Sequence, residues 1–158
     1  MVYENIKTRL EELIRGETNF IANAANFSAL IFNSIKDLNW VGFYMASDDE
    51  LILGPFQGKP ACIRIQVGKG VCGTSAKLRR SIIVDDVNNF PGHIACDPNA
   101  KSELVIPIIN QNILYGVLDI DSPVLNRFTV EDKDGFKDLV YLLIQYSDMD
   151  AVKKYYQF

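Results

Sequence analysis

Two hairpin patterns constrain this chain more than any other feature. Trp40-Val-Gly-Phe-Tyr-Met-Ala46 is rich in strand formers, Ser47-Asp-Asp-Glu50 is a polar turn, and Leu51-Ile-Leu-Gly54 returns as a strand that ends at Pro55. Ser102–Ile109, the turn Asn110-Gln-Asn112 and Ile113–Asp121 repeat the arrangement. Strands joined by turns this short pair antiparallel, because a parallel pair needs a crossover of roughly a dozen residues or more. Two further runs, Ala61–Val67 and Ser81–Val84, bring the expected sheet to about six strands. In Ala61–Val67, Cys62, Arg64 and Gln66 alternate with Ile63, Ile65 and Val67, which predicts a half-buried strand with Cys62 on one face and the aliphatic residues on the other. Pro107 predicts an edge or bulge position.

Helical spacing appears elsewhere. Residues 3–15 carry Ile6, Leu10, Leu13 and Ile14 on one stripe, with Gly16 as a stop. Residues 19–36 carry Phe20, Ala24, Phe27, Ile31 and Ile35 behind a cap at Thr18 or Asn19, and their small Ala22, Ala24, Ala25 and Ala29 permit close packing. Cys72 to Leu78 reads as a short helix. A last helix starts at Thr129-Val-Glu-Asp132, a capping pattern, and runs to about Ser147 with Phe136, Leu139, Val140, Leu143 and Ile144 inward. The expected fold is α+β: one unit over residues 1–158, a central antiparallel sheet with the N- and C-terminal helices packed on one face.

At 158 residues the chain can bury a real core; 48% of it is apolar and 23% charged, a globular profile. The net charge of −4 argues against a non-specific nucleic-acid binder. No apolar run reaches the roughly 18 residues of a membrane span, and the first residues lack a signal-peptide layout, so a cytoplasmic location is expected.

Gly68-Lys-Gly-Val-Cys-Gly73 matches the G-x-G-x-x-G pattern of dinucleotide sites. Hairpin pairing argues against it, since that fingerprint belongs to a parallel sheet. The glycines are read instead as a turn that lets backbone N–H groups face a ligand, with a helix start that would lower the pKa of Cys72.

The three cysteines, Cys62, Cys72 and Cys96, all lie between residues 62 and 96. As packing residues they would be ordinary. With His93 they make an incomplete zinc pattern, lacking the usual tight knuckle. As a redox site, one thiolate would be oxidised to sulfenic acid and a second thiol would resolve it. Spacing alone does not choose. Cys96 and His93 sit in the irregular stretch 85–101, longer than most loops of compact domains and so a candidate for function, including closure over a ligand. Asp119 and Asp121 alternate along one strand and point to one face, and Glu103 opens its partner. They are either a solvated strand end or three acids that together bind an ammonium group, with one held protonated by crowding. Trp40 and Tyr44 share a face, as core residues or as the wall of a small ligand site.

Asn39-Trp-Val-Gly-Phe-Tyr44, Gly54-Pro-Phe-Gln-Gly-Lys-Pro-Ala-Cys62, Gly68-Lys-Gly-Val-Cys-Gly-Thr74, Val84-Asp-Asp-Val87, Phe90-Pro-Gly-His-Ile-Ala-Cys-Asp97, Ser102-Glu-Leu-Val-Ile-Pro107 and Gly116-Val-Leu-Asp-Ile-Asp-Ser122 occur in this order. Together they resemble the free methionine-(R)-sulfoxide reductases, which are built on a GAF domain. The resemblance spans about residues 3–145; Ser75 stands where alanine is expected. It implies Cys96 as the nucleophile, Cys62 as the resolving thiol that forms a disulfide with it, and Cys72 as an auxiliary thiol. It implies Asp121 as proton donor, Glu103, Asp119 and Asp121 on the substrate ammonium, and Trp40 and Tyr44 around the methyl-sulfoxide end. The substrate carboxylate is expected on backbone N–H groups near Gly70–Gly73 or the Asp85–Asp86 turn. No bound cofactor and no metal are expected; thioredoxin, and ultimately NADPH, would supply electrons. Free methionine-(R)-sulfoxide is the expected substrate and a homodimer the expected state, with no nucleic-acid or membrane partner. The alternative is a GAF-type sensor of small molecules or oxidants, although a bare sensing domain would lack the cysteines.

Overall fold

The structure, a computed structural model, describes residues 2–94 and 96–156. Met1, Ala95 of the Phe90–Asp97 block and the last two residues of the expected 1–158 unit lie outside that description. In chain order the elements are α1 (Val2–Ile14), α2 (Phe20–Ser34), β1 (Trp40–Ser47), β2 (Glu50–Gly58), β3 (Arg64–Gln66), α3 (Gly70–Leu78), β4 (Ile82–Val84), β5 (Ser102–Asn110), β6 (Ile113–Ser122), α4 (Val130–Tyr146) and α5 (Met149–Val152). The six strands form one antiparallel sheet in the order β3-β2-β1-β6-β5-β4.

Side chains alternate across a strand, and here the alternation separates two clusters. Val41, Phe43 and Met45 of β1, Leu104, Ile106 and Ile108 of β5, and Leu118 and Ile120 of β6 face α1, α2 and α4. Phe43 meets Phe27 and Phe20 edge to face, with ring centroids 5.4 and 5.9 Å apart. The opposite face carries Trp40, Tyr44, Val105 and Val117 and is covered by α3 with Val71 and Cys72. The terminal helices therefore share one face as expected, whereas α3 takes the other.

Local differences from the sequence reading have physical causes. β2 does not stop at Pro55. Gly42 pairs with Phe56 and Tyr44 with Leu53, so Gly54 and Pro55 together oppose Phe43 in a bulge, where the missing proline N–H costs no ladder bond. Pro107 lies on β5 beyond the reach of β4, which pairs only with Glu103–Val105, so that side of β5 is an open edge at the proline. The expected strand 61–67 is reduced to Arg64–Gln66, and Ile63 is 69% exposed while Ile65 is buried. In α1, Leu13 is exposed, because Ile6, Leu10 and Ile14 already fill the contact with the sheet side. Ala24 alone among the four helix alanines named above is fully buried.

The α4 start behaves as its sequence predicts. The Thr129 hydroxyl accepts from the Asp132 N–H (3.2 Å), and the Thr129 N–H donates to Asp132 Oδ2 (2.8 Å). Asp132 also receives the Tyr3 hydroxyl (2.6 Å) and Arg127 (3.3 Å), which ties α1 to α4. Thr129→Ala is expected to lower the unfolding free energy by about 1 kcal/mol, read as a shift of the urea midpoint at unchanged slope.

Candidate functional site

The pocket opens on the α3 side of the sheet. Its wall includes Trp40 and Tyr44 from β1, Glu103 from β5, Asp119 and Asp121 from β6, and Cys72 from α3. The strand parity that sends Leu104, Leu118 and Ile120 into one core sends Glu103, Asp119 and Asp121 to the other face. Register brings them together: Glu103 is directly opposite Asp121 in the β5–β6 ladder, and Asp119 is opposite Gly42 across β1. Glu103 and Asp119 are buried, which removes the reading of a solvated strand end.

Cys62 and Cys96 are joined in a disulfide 34 residues apart in sequence. Cys96 sits in the pocket wall beside Asp97 and His93. Its loop is anchored where Val87 N–H donates to Lys101 O (2.9 Å) and Lys101 N–H to Ser122 O (2.8 Å). The Cys62 segment is anchored by the two aromatics. The Tyr44 hydroxyl donates to Cys62 O (2.9 Å), and Trp40 Nε1 donates to Lys59 O (3.1 Å). Trp40 is itself stacked between Tyr44 and Phe56, with centroids 5.8 and 5.2 Å away. Both aromatics thus line the pocket and also hold the backbone that carries one half of the disulfide.

Cys72 is the free thiol, fully buried, and it donates to Glu103 Oε1 at 3.8 Å. The expectation of a lowered Cys72 pKa is overturned. Burial first, then the charges of Asp119, Glu103 and Asp121, push this thiol well above its usual range. The helix start is outweighed because burial disfavours the thiolate and the neighbouring acids add to that penalty.

The carboxyls are shifted in the same direction. Burial and the charges of Asp119 and Asp121 hold Glu103 well above the ordinary range. Burial raises Asp119 to about 6, against the polar groups of Glu103, Cys72 and the Ile120 backbone, whose proximity favours its charged form. Asp121 is raised by burial and then by Asp119 and Asp97. Asp97, the neighbour of Cys96 in the chain, is one of the charges that act on Asp121. A protonated carboxyl beside a thiol is a proton donor ready for a leaving group.

His93 is a site residue that the sequence reading placed only in a zinc pattern. Its Nε2 lies 3.7 Å from Glu103 Oε2, and burial lowers its pKa, so the ring approaches Glu103 as neutral imidazole. Its position three residues before Cys96 was the available signal. The glycine-rich stretch is a turn: Gly68 and Gly70 have φ of +89° and +61°, and a Cβ on Gly73 would strike the Gln66 carbonyl oxygen. Lys69, Gly70 and Val71 bring the start of α3 to the pocket. Asp85 and Asp86 line a separate surface groove with Phe90, so that turn does not reach the site. Ser75, the departure from alanine, is buried and donates to Arg80 O (2.7 Å), satisfying the end of α3.

A GAF domain model matches residues 10–144, so fold and site define a GAF domain protein. The free methionine-R-sulfoxide reductase of Escherichia coli is 47% identical over 154 residues, covering 98% of this chain and 93% of the relative. The enzyme of the same name from Saccharomyces cerevisiae is 46% identical over 150 residues, covering 90% and 83%. The solved structure of free methionine-R-sulfoxide reductase from Neisseria meningitidis in complex with its substrate superposes with a TM-score of 0.88 at 37% identity, covering 91% of this chain and 87% of that one. The chain belongs to the free methionine-(R)-sulfoxide reductase family.

Proposed function

We propose that the protein reduces free L-methionine-(R)-sulfoxide to L-methionine. The observation that carries this is a disulfide-forming cysteine, Cys96, in the wall of a pocket that also holds three carboxyls, Asp121 and the buried Glu103 and Asp119. Sulfoxide sulfur is electrophilic, but its oxygen is a poor leaving group until protonated. In the reduced protein the Cys96 thiolate attacks sulfur and Asp121 delivers a proton to oxygen. Methionine leaves, and Cys96 remains as sulfenic acid. The Cys62 thiol then attacks the Cys96 sulfur, water departs, and the disulfide forms. The balance is two thiols and one sulfoxide giving one disulfide, one thioether and one water. A dithiol donor reopens the bond by exchange.

Glu103 and Asp119, with Asp121, receive the substrate ammonium, and Trp40 and Tyr44 pack on its methyl-sulfoxide end. The N–H groups at the start of α3, uncapped by any side chain, receive the carboxylate. Contacts to both ends explain selection of the free amino acid over a peptide-bound residue. Thioredoxin, reduced through NADPH, is the electron donor in a cytoplasmic setting, where a disulfide on the reaction path is transient. Exposed Leu13, Ile21 and Tyr141 on the helical layer support a homodimer. Among the described residues no helix is long and apolar enough to cross a membrane.

The test is NADPH oxidation coupled through thioredoxin and its reductase, with the free (R) sulfoxide, the free (S) epimer and a peptide-bound sulfoxide compared. Turnover on the free (R) form alone is expected. Silence on all three, with dithiothreitol also failing as donor, would sink the assignment. Cys62→Ser is expected to release one equivalent of methionine per chain and then stall with thioredoxin, with Cys96 trapped as sulfenic acid. Repeated thioredoxin-driven turnover in that variant would remove Cys62 from the resolving role.

A further inference from the structure

We propose that Cys72, Glu103 and Asp119 form a binding site for a divalent cation of borderline softness, Zn²⁺ above all, whose occupancy closes the pocket to substrate. The Cys72 Sγ and one carboxylate oxygen from each acid all lie within 4.8 Å of one another. Thiolate and carboxylate ligands around one tetrahedral zinc stand about 3.5 Å apart, as bonds of about 2.3 and 2.0 Å require. Three elements contribute one ligand each, α3, β5 and β6, and all three residues are buried. All three residues line the pocket.

A second observation points to a ligand. Asp119 Oδ1 is buried and has no hydrogen-bond partner among the described residues. A buried carboxylate oxygen without a donor is costly, and such positions occur where something binds. A substrate ammonium would answer that oxygen, but an ammonium site has no need of a thiol. Cys72 is what makes the cluster discriminate. Mg²⁺ and Ca²⁺ take six or more oxygen ligands, whereas a mixed sulfur and oxygen set of three with an open fourth position suits Zn²⁺. His93 Nε2 stands 3.7 Å from Glu103 Oε2, whereas Cys72 approaches Glu103 Oε1, so the two sides of that carboxyl face different neighbours. Among the described residues Lys69 is the one lysine or arginine in the pocket wall, so little fixed positive charge competes with a cation. On binding, the metal replaces the thiol proton and any carboxyl protons, which pass to water; no electron moves. Closure of the pocket rests on the reductase reading, because the metal takes the carboxylates assigned to the ammonium. Metal binding itself does not.

The disulfide makes the site separately readable. In the oxidised protein Cys62 and Cys96 are tied up, and Cys72 is the sole thiol. The probe is Co²⁺ alone, titrated into oxidised, metal-free protein and followed by absorbance. One equivalent is expected, with a thiolate-to-cobalt charge-transfer band, displaced by Zn²⁺. Cys72→Ser is expected to lose the band, and Asp119→Asn, which keeps every thiol, to weaken Co²⁺ binding by about a hundredfold. Circular dichroism melts check that both variants fold. No saturable binding, binding without the band, or a band that survives in Cys72→Ser overturns the proposal. Zn²⁺ is also expected to raise the KM for the free sulfoxide without lowering kcat, with dithiothreitol replaced by a non-chelating phosphine. A protein that turns over sulfoxide but shows no band defeats the metal site alone; one that shows the band but never reduces sulfoxide defeats the reductase reading alone.

Discussion

Cys96→Ser is expected to bring sulfoxide turnover below about one-thousandth of the parent rate, the scale on which loss of a nucleophile acts. The hydroxyl fits the same space, so binding survives while chemistry stops. Serine is scarcely ionised at neutral pH and attacks sulfur poorly, and no sulfenic acid can form on it. The crosslink must be controlled for. Closing a segment 34 residues long contributes roughly 2–4 kcal/mol of stability in the oxidised state, and either cysteine variant forfeits it. Cys62→Ser loses the same crosslink yet keeps the nucleophile. A single turnover present in Cys62→Ser and absent in Cys96→Ser, measured by chromatography of released methionine, separates chemistry from stability. Parent-like turnover in Cys96→Ser would overturn the mechanism.

Asp121→Asn comes second in size. Its carboxyl is pushed up from the usual range by burial, by Asp119 and by Asp97, the residue next to the nucleophile. The amide keeps the shape but cannot hand over a proton of comparable acidity. A fall of about 10²–10⁴ in kcat is expected, with KM changed only a few-fold. Single-turnover rates against substrate concentration give both numbers. A rise in KM at unchanged kcat would leave Asp121 only its ammonium-binding role, and Glu103, opposite it in the ladder, would become the residue to test next as proton donor.

The residues legible in advance were those governed by local rules. The two hairpins paired as their turns dictate, Thr129 capped α4, and the two-residue period of β6 put Asp119 and Asp121 on one face. What sequence could not supply was depth. The same aspartates read equally well as a solvated strand end until β1, β5 and α3 were packed around them. The thiol of Cys72 was misjudged for that reason: a helix start is visible in Gly68–Gly73, whereas three acids delivered by distant strands are not. Pro55 was read as a stop because a bulge is defined by the partner strand, here by Phe43. Ile63 was read as inward because alternation says which residues agree in direction, not how far a strand extends.

The division of the sheet into two unlike faces also edits the folding of the chain. On β6 the acids stand one position away from Leu118 and Ile120, and on β5 Glu103 stands one position from Leu104. A slip of a single residue in either strand would exchange the two sets and drive carboxylates among Phe27, Phe43 and Phe136. Unpaired charge in that setting is prohibitive. Misregistered molecules are therefore rejected by the very groups assigned to the chemistry, so the reactive floor serves as proofreader of its own assembly.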